Sequence, residues 1–81
     1  MNIAAHNYRT ASFNFRREPG SEMETAKTYQ YESSTAVYEL LVIGKAEYVR
    51  VNFGPWCNRI DGWHPIHYAV RDYAAANGAF S

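Results

Sequence analysis

The sequence has little of several features that mark common classes of protein. It contains one cysteine, so it cannot form an internal disulfide, whereas a small secreted domain usually needs several. Its eight basic and eight acidic residues leave no net charge, which argues against nonspecific binding to nucleic acid or anionic lipid and against acidic mimicry of nucleic acid. No apolar run approaches the roughly 18 residues of a membrane span, and the amino terminus lacks a segment like a signal peptide. These absences predict a soluble cytoplasmic protein.

The composition predicts one small packed domain. The chain has 81 residues, of which 47% are apolar, so residues 1–81 are long enough for one modest core and too short for two. Tyrosine supplies seven of the aromatic residues, and its apolar ring and polar hydroxyl suit half-buried positions and interfaces. Part of this aromatic content is therefore available for contact with a partner.

Alternating polarity predicts strands in the first half of the chain. Residues 10–16 and 28–32 each alternate between apolar and polar side chains, as strands with one buried face do. Residues 17–27 contain Pro19-Gly20 and three glutamates, which predicts a solvated loop.

Two further runs rich in β-branched and aromatic residues, 35–43 and 46–53, predict a hairpin. Gly44-Lys45 separates them, and glycine supplies the positive φ of a type II′ turn. A two-residue loop sets the register, which places apolar residues opposite apolar residues and Glu39 opposite Arg50. The predicted pairs are Ile43–Ala46, Leu41–Tyr48, Leu40–Val49, Glu39–Arg50, Tyr38–Val51 and Ala36–Phe53.

The carboxyl-terminal segment predicts one helix. Pro65 suits a first helical turn, Asn77-Gly78 is a typical left-handed stop, and the residues between them are apolar at spacings of three and four. The predicted fold class is therefore α+β: a small antiparallel sheet of three or four strands with one C-terminal helix packed on one face. The opposite face needs a cover, either the amino-terminal arm or another chain such as a second copy in a homodimer. Its apolar residues are Val37, Leu41, Ile43 and Tyr48.

Residues 52–67 concentrate the reactive side chains, including the cysteine and two of the three histidines. The candidate zinc ligands are Cys57, His64 and His67, with His6 or Asp61 as a fourth. Their spacing, C-x6-H-x2-H, matches none of the common paired patterns, and a nucleophilic pair of Cys57 and His64 lacks an orienting third residue. We therefore predict no metal, no cofactor and no catalytic residue, and expect the histidines to be capping or surface residues. A zinc-stapled structural domain remains an alternative.

A second alternative is binding of single-stranded nucleic acid, because aromatic side chains on a sheet can stack bases. The candidate platform is Phe13, Phe15, Tyr29 and Tyr31, with Arg9, Arg16, Arg17, Lys27 and Arg50 as phosphate contacts. The chain has neither a basic excess nor an RNP-type motif, which disfavours direct nucleic-acid binding.

Protein binding accounts best for the aromatic content. Residues 48–73 hold both tryptophans, three tyrosines and three arginines, and these residue types dominate protein interfaces. Trp63, beside the predicted helix, is the candidate core residue, and Trp56, in a loop, is the candidate contact residue. The predicted partner-binding residues are Trp56, Asn58, Arg59, Tyr48, Arg50, Arg16 and Arg17. We therefore predict a non-catalytic inhibitor that covers a functional surface of a larger protein or protein–RNA complex.

In its size, aromatic content and lack of a catalytic signature, the chain resembles the small phage-encoded inhibitors of bacterial defence, the anti-CRISPR proteins among them. The resemblance concerns the general character of the chain and assigns no residue. It implies a partner in the host cytoplasm, such as a CRISPR surveillance complex, blocked at the surface that nucleic acid or a nuclease needs. The neutral charge differs from that of the strongly acidic members, so mimicry of DNA is not implied.

Overall fold

The computed structural model describes residues 5–58 and 62–80, which form four strands and one α-helix. A 3₁₀ turn at Ala5–Asn7 precedes the strands, and the helix α1 follows them. The four strands form one antiparallel sheet in chain order, β1-β2-β3-β4. The predicted α+β fold is confirmed. The bounds are β1 Tyr8–Phe15, β2 Glu24–Glu32, β3 Val37–Ile43, β4 Ala46–Val51 and α1 Pro65–Ala76.

Strands β3 and β4 form the predicted hairpin. Five of the six predicted cross-strand pairs form, and Gly44 adopts a φ of 58° at the start of the two-residue turn, where a side chain would be strained. The prediction of a pair between Ala36 and Phe53 is wrong. Strand β3 begins one residue after Ala36, and Phe53 lies in a turn beyond β4.

Strand β2 is longer than predicted, because it begins at Glu24 inside the predicted loop. Residues 24–27 have little intrinsic preference for strands. Their backbone groups are nevertheless satisfied by pairing with β1 on one side and, from Ala26 onward, with β3 on the other. The ladder therefore outweighs the local composition.

Helix α1 begins and ends where predicted. Pro65 lies in the first turn, and Gly78 follows the helix with a φ of 81°. The amides of Gly78 and Ala79 donate to the carbonyls of Ala75 and Ala74 at 3.1 and 3.0 Å, which is the hydrogen-bond pattern of a Schellman cap. No helix in residues 5–58 and 62–80 has the length and apolarity needed to cross a lipid bilayer.

The core lies between α1 and one face of the sheet, which we call the inner face. Full burial of an aliphatic side chain such as Leu40 or Val70 contributes about 1.5–3 kcal/mol. Trp63 packs against this core, as predicted. The buried residues of the cluster are Tyr29, Tyr38, Leu40, Val42, Val49, Val70 and Ala74.

The opposite sheet face, which we call the outer face, exposes less apolar surface than predicted. Only 8% of the surface of Leu41 is exposed, because Thr28 and Tyr48 flank it on the neighbouring strands. In the part of the amino-terminal segment that the structure describes, no contact with this face is seen. Instead, the ring of Tyr8 stacks on Tyr73 of α1 at a centroid distance of 4.3 Å, on the inner side.

Candidate functional site

The chain after β4 makes a tight turn with an unusual backbone. The amide of Gly54 donates to the carbonyl of Val51 at 3.1 Å, and the central residues Asn52 and Phe53 have φ values of 53° and 59°. Two successive left-handed residues define a type I′ turn, in which asparagine followed by glycine is the favoured pair. Phenylalanine occupies the position that favours glycine, at a cost of about 1–2 kcal/mol.

Phe53 does not offset this strain by entering the core, since 63% of its surface is exposed. A bulky residue with positive φ persists only where the surrounding structure holds it, and such residues cluster at functional sites. Here the amide of Asn52 donates to the carbonyl of Val37 at 2.8 Å, and the Asn52 side chain accepts from the Val37 amide at 3.0 Å. These two bonds hold the turn against β3.

The loop then returns along the edge of β4. The amide of Val49 donates to the carbonyl of Cys57 at 2.8 Å, and the amide of Cys57 donates back at 2.7 Å. This single bridge covers the edge of β4 and fixes the backbone next to Trp56. The aromatic residues of the loop are therefore held by the backbone before any partner arrives.

Arg50 connects the loop to the sheet. Its guanidinium donates to both carboxylate oxygens of Glu39, at 2.8 and 3.3 Å, and Glu39 is only 5% exposed. The same guanidinium lies 4.1 Å from the centroid of the Trp56 ring and 5.5 Å from that of Phe53. Both distances are within the range of cation–π attraction. We call Tyr48, Arg50, Phe53 and Trp56 the aromatic loop surface.

Arg16 and Arg17, which were predicted to bind a partner, lie in the loop between β1 and β2. Arg17 donates to Glu24 at 2.6 Å, and this bond and the charge of Glu24 raise the pKa of Arg17, with a smaller contribution from the phenol of Tyr48. Arg16 donates to the carbonyl of Ser21 at 2.6 Å and closes its own loop.

Of the two remaining predicted contact residues, the structure describes Asn58. Asn58 is exposed and directly follows the bridge at Cys57. Arg59 lies outside the described residues, as does Asp61, which we considered as a metal ligand.

His64 and His67 both cap the start of α1, which is one of the two roles predicted for them. The Nδ1 atom of His64 accepts from the amide of Ile66 at 3.1 Å, and the Nδ1 atom of His67 accepts from the amide of His64 at 3.0 Å. The Nε2 atom of His67 lies 3.1 Å from the carbonyl oxygen of Arg50. Because a carbonyl only accepts, Nε2 carries the proton and the neutral ring uses both of its nitrogens.

This arrangement makes His67 a structural group. Its side chain is 1% exposed, and burial lowers its pKa; the bond to the Arg50 carbonyl has a smaller effect that raises the pKa, and the nearby His64 lowers it slightly further. The sequence pattern of α1 did not reveal this burial. The only hint was the capping-box spacing, in which His64 and His67 take the places usually held by serine and glutamate.

Cys57 and His67 also line a common cavity of about 230 Å³ between β4, the returning loop and the start of α1. Their proximity does not make a nucleophilic pair. The unprotonated Nδ1 atom of His67 already accepts a hydrogen bond from the backbone amide of His64. The ring can therefore take a proton from the Cys57 thiol only if that capping bond breaks. Within residues 5–58 and 62–80, no three His, Cys, Asp or Glu side chains are grouped so that they could hold a metal ion.

The aromatic platform considered for nucleic acid is divided between the two faces of the sheet. Phe13 pairs with Ala26 on the outer face, whereas Tyr29, three residues further along β2, faces α1 and is 1% exposed. Phe15 likewise lies on the outer face, and Tyr31 lies on the inner face. The four rings cannot stack successive bases of one strand.

Comparison with protein-family models, with curated proteins and with solved structures finds no match to this chain. The function must therefore be argued from the site itself. The residue that the sequence analysis missed is Phe53, which was assigned to a strand. The signal for a turn was Asn52, since asparagine tolerates the left-handed region better than most residues.

Proposed function

We propose that this protein is a non-catalytic binding protein that docks on a larger partner through the aromatic loop surface. The observation that carries the proposal is Phe53, an exposed aromatic side chain held in a strained backbone conformation beside the Arg50–Trp56 stack. A strained backbone conformation whose side chain does not pack in the core is expected where that side chain serves binding. Tryptophan, tyrosine and arginine are the residue types that contribute most to protein interfaces.

The rigidity of the surface supports the same proposal. The hydrogen bonds of the turn and of the bridge at Cys57 hold the backbone, and the buried Glu39 orients Arg50. A preorganised surface loses little conformational entropy on binding, which favours affinity. Arg50 is already neutralised by Glu39, so its ring contacts, rather than its charge, are what the surface offers to a partner.

The way the partner is affected is the finer part of the proposal. A chain of this size acts on a larger assembly by occupying a surface that the assembly needs. Following the resemblance to anti-CRISPR proteins, we propose that the partner is a protein or protein–RNA complex such as a CRISPR surveillance complex. The two histidines of the site support a non-catalytic role, because the side chains of His64 and His67 are used to cap α1.

The test is capture of a partner from a bacterial lysate by the tagged protein and by three variants. We expect capture by the wild type to be lost with Trp56→Ala and with Phe53→Gly. Tyr68→Ala is the matched control, because Tyr68 is an aromatic residue of similar exposure, 55%, on α1. Equal capture by all four proteins, or loss with Tyr68→Ala alone, would refute docking through the aromatic loop surface.

The finer proposal needs an activity measurement. Purified protein is added to a reconstituted CRISPR surveillance complex, and binding of labelled target DNA is followed. Inhibition that disappears with Phe53→Gly supports the proposal. Unimpaired target binding across several such complexes would remove this partner class while leaving the docking proposal to be decided by the capture experiment.

A further inference from the structure

The two edges of the sheet differ in whether another segment of the chain pairs with them. The edge of β4 is covered by the bridge between Val49 and Cys57. Strand β1 forms the other edge, and its backbone has no partner on that side within the described residues. An uncovered edge strand is a ready template for pairing with another chain.

Strand β1 also lacks the devices that usually protect an edge. It is eight residues long and contains no proline or lysine, and its one charged residue is Arg9. Six of its eight residues, from Arg9 to Asn14, are exposed. Phe13 is 49% exposed, although it is a large apolar side chain in the middle of a regular strand.

Helix α1 supports only the beginning of this strand. Tyr8 stacks on Tyr73, and the hydroxyl of Thr10 lies 3.0 Å from that of Tyr73, whereas residues 11–14 are exposed and the more extensive contacts of α1 are with β2 and β3. The second half of β1 is therefore held mainly by β2. A strand covered on neither face adds little stability by itself, and a neighbouring strand would supply the missing contacts.

We propose that β1 pairs with β1 of a second copy, in antiparallel orientation about a two-fold axis at Ala11, and so joins two sheets into one of eight strands. The strand is complementary to itself in this register. Residues directly opposite each other share a face, so Arg9 lies opposite Phe13 of the second copy on the outer face, twice by symmetry. Thr10 lies opposite Ser12 on the inner face.

These pairs have favourable chemistry. A guanidinium beside an aromatic ring is attracted to it, and threonine and serine hydroxyls can bond across strands. Arg9 is free to reorient, because its pair with Glu32 is long, at 3.8 Å, and exposed on both sides. A shift of the axis to Phe13 would instead leave Arg9 beyond the paired residues. The contacts of Arg9 and Phe13 therefore favour the axis at Ala11.

The test is the oligomeric state of the full chain, measured by sedimentation from micromolar to near-millimolar concentrations. We expect a dimer of twice the monomer mass. Phe13→Lys places a lysine opposite Arg9 of the second copy and should weaken dimerisation about tenfold or more. The double variant Arg9→Glu with Phe13→Lys places opposite charges there and should restore the dimer.

Unfolding curves establish that each variant is folded, and amide hydrogen exchange supplies a second measurement. Amides of β1 should become protected as the concentration of wild type rises, and this change should be absent in Phe13→Lys. Three results would overturn the proposal: a wild type that sediments as a monomer throughout, a folded Phe13→Lys that dimerises as the wild type does, or a charge-reversed double variant that remains monomeric.

Discussion

The strained turn at Phe53 makes a prediction that separates backbone conformation from side-chain contacts. Phe53→Gly and Phe53→Ala both remove the ring and its contact with Arg50. They differ in the backbone, because glycine adopts a φ of 59° freely and alanine does not. The difference in stability between the two variants therefore reports the backbone strain, once the greater freedom of glycine in the unfolded chain is allowed for.

The expected difference follows from two opposing effects. Relief of the left-handed conformation favours glycine by about 1–2 kcal/mol. The greater freedom of glycine in the unfolded chain favours alanine by about 0.4–1 kcal/mol. The net advantage of Phe53→Gly is about 1 kcal/mol, which for a domain of this size raises Tm by about 4–8 °C over that of Phe53→Ala.

Thermal and urea unfolding followed by circular dichroism measure this difference. Met23 is a suitable control position, because it is an exposed loop residue without a positive φ. There the order should reverse, with Met23→Ala more stable than Met23→Gly by about 0.4–1 kcal/mol. If alanine at position 53 proves more stable than glycine by about 0.4–1 kcal/mol, as is expected at Met23, Phe53 is not strained, and the central support for the aromatic loop surface is lost.

Two other predictions concern buried groups. Burial lowers the pKa of His67, so on acidification the unfolded chain is protonated at this histidine before the folded chain is. The free energy of unfolding should therefore be unaffected by this group above a pH of about 6.5 and should decrease as the pH falls below that value. The slope is at most about 1.4 kcal/mol per pH unit for one proton. His67→Gln keeps an acceptor for the amide of His64 and should remove this part of the pH dependence, so an unchanged slope in urea unfolding would show that the buried His67 is not its source. Arg50→Ala should cost about 3–5 kcal/mol, because it leaves the carboxylate of Glu39 buried and unpaired, whereas replacing both residues by methionine should cost much less. Arg17→Ala, which breaks an exposed pair, is the control and should cost much less stability than Arg50→Ala, and a similar loss for both single variants would contradict this account.

The double use of Arg50 has a consequence for binding. Its carbonyl accepts from the buried His67 that caps α1, and its side chain supports the rings of Phe53 and Trp56. The start of the helix and the aromatic loop surface are therefore joined through one residue of β4. Fraying of α1 at low pH is expected to reach the aromatic loop surface through this residue.

Local patterns in the sequence were sufficient for the elements whose determinants are close in the chain. Gly44 sets a two-residue turn, and the polarity of the residues on either side permits only one register, so five of the six predicted pairs of the hairpin are confirmed. Pro65 and Gly78 likewise mark the two ends of α1, because each has a backbone preference that operates without distant neighbours.

Patterns failed where distant backbone bonds decide the conformation. Glu24 to Lys27 look like part of a loop, and they become a strand because β1 and β3 lie on either side to pair with them. Phe53 looks like the last residue of a strand, and it enters a left-handed turn because Asn52 bonds Val37 across the sheet. Neither result follows from propensity, since the partners that impose it are far away along the chain.

The sequence by itself thus determined the fold class, the hairpin and the helix, since these depend on periodicity and on glycine and proline at fixed positions. Only the tertiary structure decided which side chains are available for contact. It buried His67 of α1 against β4, divided the aromatic residues between two faces, and left Phe53 exposed beside Arg50 and Trp56. The reason is physical: exposure depends on what packs above a residue, and that neighbour comes from another part of the chain.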